Sequence, residues 1–225
     1  MQAMFNFPSP KTNRVARLLT TALLLAGAAG CNKAEEVVAP TVSNEAITTL
    51  TLTLTNAAAP GDVVTATWEQ LLDASGKPIA SGPDVSKASL ALKPNATYNS
   101  VLTLLDKTQT PVFKVSDEIQ QRANIHLFFY QPLPSASALV IPASEGYPAP
   151  IPANPTGSPL NLTVAITDAD NNKTPLPLGL TSQFKTGAAS TGYLQVLLRH
   201  QPNVKDGTFA PGSTDFNAGF KVAVQ

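Results

Sequence analysis

Residues 49–55 read Thr-Leu-Thr-Leu-Thr-Leu-Thr, and this stretch decides the fold class. Leucine and threonine alternate with a period of two, which is the period of a β-strand. One face of such a strand is wholly aliphatic, and the other carries only hydroxyl side chains. Threonine suits the solvent-facing side because its branched Cβ fits the pleated surface. The stretch therefore predicts a strand whose sheet has one buried face and one wet face.

The same alternation recurs along the chain between turn-forming residues. Further strands are predicted at 64–68, 90–92, 98–105, 125–130, 160–167, 191–200 and 216–224. The one predicted helix is short, with Ser116 as its N-cap and with Asp117 and Glu118 in its first turn. About eight short strands and almost no helix predict an all-β fold, an immunoglobulin-like antiparallel β-sandwich.

A proline-rich segment at 132–159 interrupts this pattern, with eight prolines among Ser, Ala and Gly. Such a segment disfavours a helix or a central strand and prefers polyproline II. It either links two small units, 45–131 and 160–225, or crosses between the sheets of one domain. The second unit would have only 66 residues, which is marginal for an independent core. We therefore predict a single domain at 45–225.

The N-terminus is typical of a secreted protein. Residues 1–17 contain three basic residues and no acid, and thirteen apolar or small residues follow before Cys31, the only cysteine. Thirteen residues are too few to span a bilayer of roughly 30 Å as a helix, so 1–30 are predicted to be a signal peptide. Cleavage there would leave the mature chain a formal charge of −3, because the 15 acidic residues all lie beyond it.

The junction Ala28-Ala29-Gly30-Cys31 resembles the lipobox of bacterial lipoproteins. That resemblance implies cleavage before Cys31 and attachment of lipid to its thiol, which would hold the protein on the membrane. Residues 31–44 are then the lipidated cysteine and a flexible tether. The alternative is a secreted protein that is cleaved nearby and keeps Cys31 as a free thiol.

The residues after the cysteine, Asn32-Lys33-Ala34-Glu35-Glu36, are similar to a sorting signal of lipoproteins from the Bacteroidetes phylum. That signal directs lipoproteins to the outside of the outer membrane. The similarity implies an outer-membrane lipoprotein exposed at the cell surface. The alternatives are the periplasmic leaflet, or a tether whose charges only keep it extended and solvated.

Most of 45–225 resembles a group of small Bacteroidetes lipoproteins of unassigned function. The pieces that carry the resemblance are Glu45-Ala46-Ile47-Thr48-Thr49-Leu50, Ala96-Thr97-Tyr98-Asn99 with Leu104-Leu105, Ser116-Asp117-Glu118-Ile119, His126-Leu127-Phe128-Phe129-Tyr130, Pro177-Leu178-Gly179-Leu180, Leu198-Arg199-His200-Gln201-Pro202 with Lys205-Asp206-Gly207, and Gly212-Ser213-Thr214-Asp215. Some members are labelled type 1 periplasmic binding fold proteins, a fold that needs repeated βαβ units, whereas this chain lacks a series of amphipathic helices. The resemblance implies architecture and location but no reaction.

Composition and motifs exclude several functions. A formal net charge of zero gives no reason to expect a nucleic-acid partner. The chain has no Gly-x-Ser-x-Gly, no His-Glu-x-x-His and no glycine-rich phosphate loop. We therefore predict a non-enzymatic protein without a cofactor, which binds or scaffolds an envelope protein or a glycan. An enzyme acting on envelope glycans is the third hypothesis. Trp68, Tyr98 and Tyr130 are candidates for a sugar-stacking platform, and packing in the core or at a sheet edge is the alternative for these aromatic residues.

The two histidines of the chain, His126 and His200, are both predicted to lie in strands. If those strands are neighbours, the imidazoles meet and bind zinc or copper with Asp215 or Asp206 from the following hairpin. This is the alternative function, a periplasmic or surface metal-binding protein. Two separate histidines that bond to backbone carbonyls would explain the same sequence.

A calcium site is the second metal hypothesis. Asp168, Asp170 and Asn172 present oxygens at the spacing of a calcium loop. However, Lys173 stands where the loop needs glycine, and Gly179 stands where it needs a bidentate glutamate. A turn that ends a strand explains the same Asp and Asn residues.

Overall fold

A computed structural model describes residues 46–134, 141, 143–145 and 158–225. The signal peptide, Cys31 and the whole tether lie outside this described part. Ten strands form within it: β1 (Thr49–Asn56), β2 (Val63–Leu72), β3 (Pro78–Asp84), β4 (Ser89–Leu92), β5 (Thr97–Leu105), β6 (His126–Leu133), β7 (Leu162–Ile166), β8 (Thr181–Thr186), β9 (Ser190–His200) and β10 (Ser213–Val224). The helix α1 spans Val115–Gln121, and short 3₁₀ turns span Ala123–Ile125 and Ala143–Glu145.

The strands form two sheets, which confirms the predicted all-β sandwich. The larger sheet has the order β3-β2-β1-β5-β8-β7 and the smaller one β4-β10-β9-β6. All the strand pairings are antiparallel except that of β4 with β10, which is parallel. The prediction of about eight strands was low because β3 and β8 were missed.

The Thr-Leu repeat forms the strand β1, as predicted, and β1 lies inside the larger sheet, between β2 and β5. Leu50, Leu52 and Leu54 are fully buried in the core shared by both sheets. On the opposite face, the hydroxyls of Thr51 and Thr67 lie 3.2 Å apart across the strands. Successive side chains of β1 therefore point alternately into the core and toward the opposite face of the sheet.

The smaller sheet is buried on both faces at its centre. Leu194, Val196 and Leu198 of β9 face the shared core. The intervening Leu197 and Arg199 are also buried, although they point to the other face. Across the proline-rich segment the chain passes from β6 in the smaller sheet to β7 in the larger one. All the described residues belong to one compact unit, 42–225.

The helix begins at Val115, two residues before the start that a cap at Ser116 would give. Its N-cap is Lys114, which makes no side-chain capping bond, whereas Ser116 is inside the helix and buried. The prediction of Ser116 as the cap was therefore wrong. Asp117 and Glu118 do lie in the first turn, where the helix dipole favours acidic side chains.

Candidate functional site

The pairing of β6 with β9 brings the two histidines together. His126 stands directly opposite His200 in the antiparallel register, two residues before the Phe128 and Leu198 pair in the core. The rings stack with their centroids 5.1 Å apart and their planes inclined by 22°. The two stacked rings therefore lie at one end of the inner face of the smaller sheet.

A bulge in β10 brings Asp215 to the same place. The register with β9 shifts between Thr214 and Phe216, so Asp215 is the extra residue of the bulge. Its Oδ2 lies 3.6 Å from Nδ1 of His200 and 3.9 Å from Nε2 of His126. Both distances are longer than a hydrogen bond. We call His126, His200 and Asp215 the histidine cluster.

The residue that follows α1 helps to close the histidine cluster. The Nδ1 of His126 lies 3.1 Å from the backbone oxygen of Arg122. Because a carbonyl oxygen only accepts, Nδ1 carries the proton and Nε2 does not when the ring is neutral. The side chains of His126, His200 and Asp215 are 1, 12 and 4 % exposed. A substrate in solution has almost no access to them.

Burial sets the charge state of the cluster. It is the main reason why the pKa of His126 is lowered to about 3, and the neighbouring His200 and Arg122 act in the same direction. Burial also lowers the pKa of His200, with Arg122 acting in the same direction. It raises the pKa of Asp215 to about 6, against the opposing effect of the cations Arg122 and Arg199. Both imidazoles are thus neutral at pH 7.

The geometry gives the predicted zinc or copper site no support. A metal lies in the plane of each imidazole that binds it, whereas the two stacked rings lie in separate planes that are inclined by only 22°. In the described part of the chain, no group of three or more His, Cys, Asp or Glu residues is arranged to hold a metal ion. Asp206, the other candidate ligand, is exposed, and its carboxylate accepts bonds from the amide and hydroxyl of Thr208.

We expect zinc, copper and calcium to leave the thermal midpoint of residues 42–225 unchanged. An ion at about a hundred times its dissociation constant would add roughly 2.7 kcal/mol, which raises the midpoint by several degrees. Differential scanning fluorimetry with and without each ion measures this. A rise that is lost in the variant with both His126→Ala and His200→Ala would establish the metal site.

The carboxylates proposed for calcium are already used by the protein. The two oxygens of Asp168 accept the amides of Gly179 and Thr181, at 2.7 and 3.0 Å. Asp170 accepts two backbone amides on Oδ1, and the Nζ of Lys205 lies 3.0 Å from its Oδ2. The lysine ammonium thus supplies the positive charge at Asp170. The calcium hypothesis for Asp168, Asp170 and Asn172 finds no support, and the turn explains these residues.

The aromatic residues proposed as a sugar-stacking platform belong to the core. Trp68 and Tyr98 are buried, and the indole of Trp68 packs edge-on against Phe216 with centroids 4.9 Å apart. Tyr130 packs against the core and donates its hydroxyl to the backbone oxygen of Gly179 at 2.6 Å. The three side chains therefore present no stacking surface.

A buried ion pair on the outer face of the smaller sheet was missed by the sequence analysis. The guanidinium of Arg199 donates to both oxygens of Glu145, at 3.0 and 2.9 Å, and to the hydroxyl of Thr214. It also lies 4.5 Å from the ring centroid of Phe209. Glu145 ends the 3₁₀ turn Ala143–Glu145 within the proline-rich segment, so this pair holds that turn against the sheet. An arginine within the buried run of β9 was the signal that a buried acid had to exist.

An open groove lies beside α1. It has a volume of about 780 Å³ between the loop at 109–114 and the helix. Its lining combines the exposed Val112 and Phe113 with the charged Lys114, Asp117 and Arg122. The groove is a surface concavity with both apolar and charged contacts, which no pattern in the sequence indicated.

No family model, no curated protein and no solved structure matches this chain. Among the described residues, no helix has the length and apolar character needed to cross a membrane.

Proposed function

We propose that this chain is a lipid-anchored, non-enzymatic binding or scaffolding module of the bacterial cell envelope. The observation that carries the proposal is the N-terminal order of basic residues, a short apolar stretch and Ala28-Ala29-Gly30-Cys31. This order is typical of a secretory signal, and a lone cysteine directly after it is typical of a lipoprotein. The thiol of Cys31 would carry the lipid, and 32–44 would hold the β-sandwich away from the membrane.

The state of the chemically capable side chains supports a role without catalysis. The histidine cluster is closed to substrates, and the carboxylates of Asp168 and Asp170 bond to backbone amides and to Lys205. A general acid or base has to reach the atom to which it passes a proton, directly or through one water. The carboxylates of Asp168 and Asp170 instead stabilise the fold through these bonds.

The groove beside α1 is the surface that we propose for contact with an envelope protein or glycan. Its apolar Val112 and Phe113 provide surface that gains from burial, and Lys114 and Asp117 provide polar contacts at its rim. The Lys33-Ala34-Glu35-Glu36 run supports placement on the outside of the outer membrane. Digestion of intact cells with a protease tests this, because a protein on the periplasmic leaflet would survive.

Replacing the lipidated residue is expected to release the protein. In the native host, Cys31→Ala moves the chain from the membrane fraction to the soluble fraction, because one or more acyl chains no longer hold it. Fractionation followed by immunoblotting measures this, and Thr41→Ala in the tether is the matched control. Wild-type protein in the soluble fraction would contradict the proposal, and so would a Cys31→Ala variant that stays in the membrane.

A further inference from the structure

The two sheets end in four edge strands, and three of these edges are protected. β3 contains Pro78 and Pro83, and its register with β2 is irregular. β4 is only four residues long and lies between Lys87 and Lys93. Short length, lysine and proline are the devices that keep an edge from pairing with another chain.

The third protected edge is that of β6. The amide of Phe128 donates to the backbone oxygen of Leu178 at 2.7 Å, so a neighbouring loop occupies part of this edge. Pro132, near the end of β6, has no amide hydrogen to offer. An additional strand thus finds few free partners along β6.

The edge at β7 is also short, at five residues, but it has no proline and no lysine. Residues 162–166 read Leu-Thr-Val-Ala-Ile, without a proline, a glycine or a charge. β7 pairs with β8 in regular register, and no other described strand pairs with β7. On the outer side, the amide of Leu162 donates to the backbone oxygen of Leu160 at 2.8 Å. An uncharged, regular and unprotected edge is the kind that accepts another strand.

The alternation of hydrogen-bonded positions between β7 and β8 shows which backbone groups of β7 face outward. The amide of Thr167 donates to the backbone oxygen of Thr181, and the amide of Gly187 donates to that of Asn161. In an antiparallel pair, bonded positions alternate, so Thr163 and Ala165 also bond toward β8. The amide and carbonyl of Val164, and those of Ile166, therefore point away from the sheet.

The side chains of β7 favour a second uncharged strand. Thr163 and Ala165 are exposed on the outer face, whereas Val164 and Ile166 are only half-buried on the inner face. Val164 already packs against the core from the margin of the sheet. A neighbouring strand that brings its own aliphatic side chains would complete the burial of Val164 and Ile166.

We propose that β7 pairs with β7 of a second copy of this chain across a two-fold axis, and that the two larger sheets become one sheet of twelve strands. An antiparallel edge is complementary to itself, because rotation by 180° places its outward amides opposite its outward carbonyls. With the axis at Val164, the two Val164 residues exchange both backbone bonds, and Thr163 stands opposite Ala165 of the other copy. No charge opposes a like charge along this contact.

Sedimentation of residues 42–225 at increasing concentration tests the pairing. This unit contains the whole described core, and it lacks Cys31, so disulfide formation plays no part. Strand pairing alone buries less surface than a standard interface, so we expect reversible dimers over roughly 10 μM to 1 mM. A monomer at every concentration in this range would overturn the proposal.

Charge variants locate the contact. The variant with both Thr163→Lys and Ala165→Lys places lysines directly opposite lysines and is expected to remain monomeric. The variant with both Asn99→Lys and Val101→Lys adds the same charge to exposed positions of β5, away from the edge, and is expected to dimerise. Circular dichroism checks that each variant is folded.

Opposite charges provide the most specific test. A variant with Thr163→Glu and Ala165→Glu should also be monomeric alone and should form a heterodimer with the lysine variant. In the wild type, hydrogen exchange at the amides of Val164 and Ile166 should slow as concentration rises. Dimers that the lysine pair leaves unaffected would overturn the assignment to β7.

Discussion

Replacing Lys205 with Met is expected to lower the free energy of unfolding by about 3–5 kcal/mol. The Lys205 and Asp170 side chains are 2 and 0 % exposed, and their charged atoms are 3.0 Å apart. Without the ammonium, Asp170 keeps its charge in a site that water cannot reach. The backbone oxygen of Ala123 also loses the 2.8 Å bond that Lys205 donates. Urea unfolding followed by the fluorescence of Trp68, the only tryptophan, measures the change.

A double variant separates the charge from the packing. Adding Asp170→Asn to Lys205→Met removes the isolated carboxylate charge, so the double variant should be more stable than Lys205→Met alone. Lys185→Met is the matched control, because Lys185 is exposed and its loss should change stability by roughly 0.5 kcal/mol or less. A Lys205→Met variant as stable as this control would show that the buried pair contributes nothing.

Acidification from pH 6.5 toward pH 4 is expected to destabilise the fold through the histidine cluster. The pKa of His126 is about 3 in the folded protein and 6.5 in an unfolded chain, so only the unfolded state takes up a proton in this interval. Stability is therefore full above pH 6.5 and falls as the pH drops toward 3. At about 1.4 kcal/mol per pH unit, the loss from His126 reaches several kcal/mol. His200 acts in the same direction.

Asp215 opposes this loss over part of the range. Its pKa is raised from 3.8 to about 6, so between these values the folded protein binds a proton that the unfolded chain does not bind. This contribution favours the fold as the pH falls from 6 to 3.8, and it is lost as the pH rises. The two histidines outweigh the single carboxyl, so the net effect of acid is destabilising.

Two variants should change the acid response in opposite directions. His126→Asn keeps a donor for the backbone oxygen of Arg122 but does not titrate, so it should flatten the fall in stability between pH 6.5 and pH 4. Asp215→Asn removes the opposing carboxyl and should make the fall steeper. Urea unfolding at several pH values measures both slopes. A His126→Asn variant with the wild-type slope would show that His126 is not the group responsible.

The strands that could be predicted from the sequence are those in which apolar residues occupy every second position. β1 and β9 bury leucine or valine at every second position, and their patterns are unmistakable. β8 was missed because its buried face carries Ser182 and Thr186 on either side of Phe184, and β3 was missed because its prolines read as a turn. The parallel pairing of β4 with β10 depends on tertiary contacts that no local pattern records.

The residues of the candidate site could be predicted from the sequence, but their geometry and their chemical role could not. The strand positions of His126 and His200 led to the expectation that they could meet, and the register places them opposite each other. The β-bulge that brings Asp215 beside them, and the stacking of the two rings, depend on tertiary geometry. Arg122 was missed because it lies at a helix end, where a basic residue is ordinary.

Mass spectrometry of the N-terminal peptide of protein purified from its native membrane tests the central claim most directly. We expect Cys31 to be the first residue and the peptide to carry a diacylglycerol thioether and an acylated α-amino group. A peptide that begins at another residue, or one that contains Cys31 as a free thiol, would contradict the lipid anchor and with it the proposed place of this protein in the envelope.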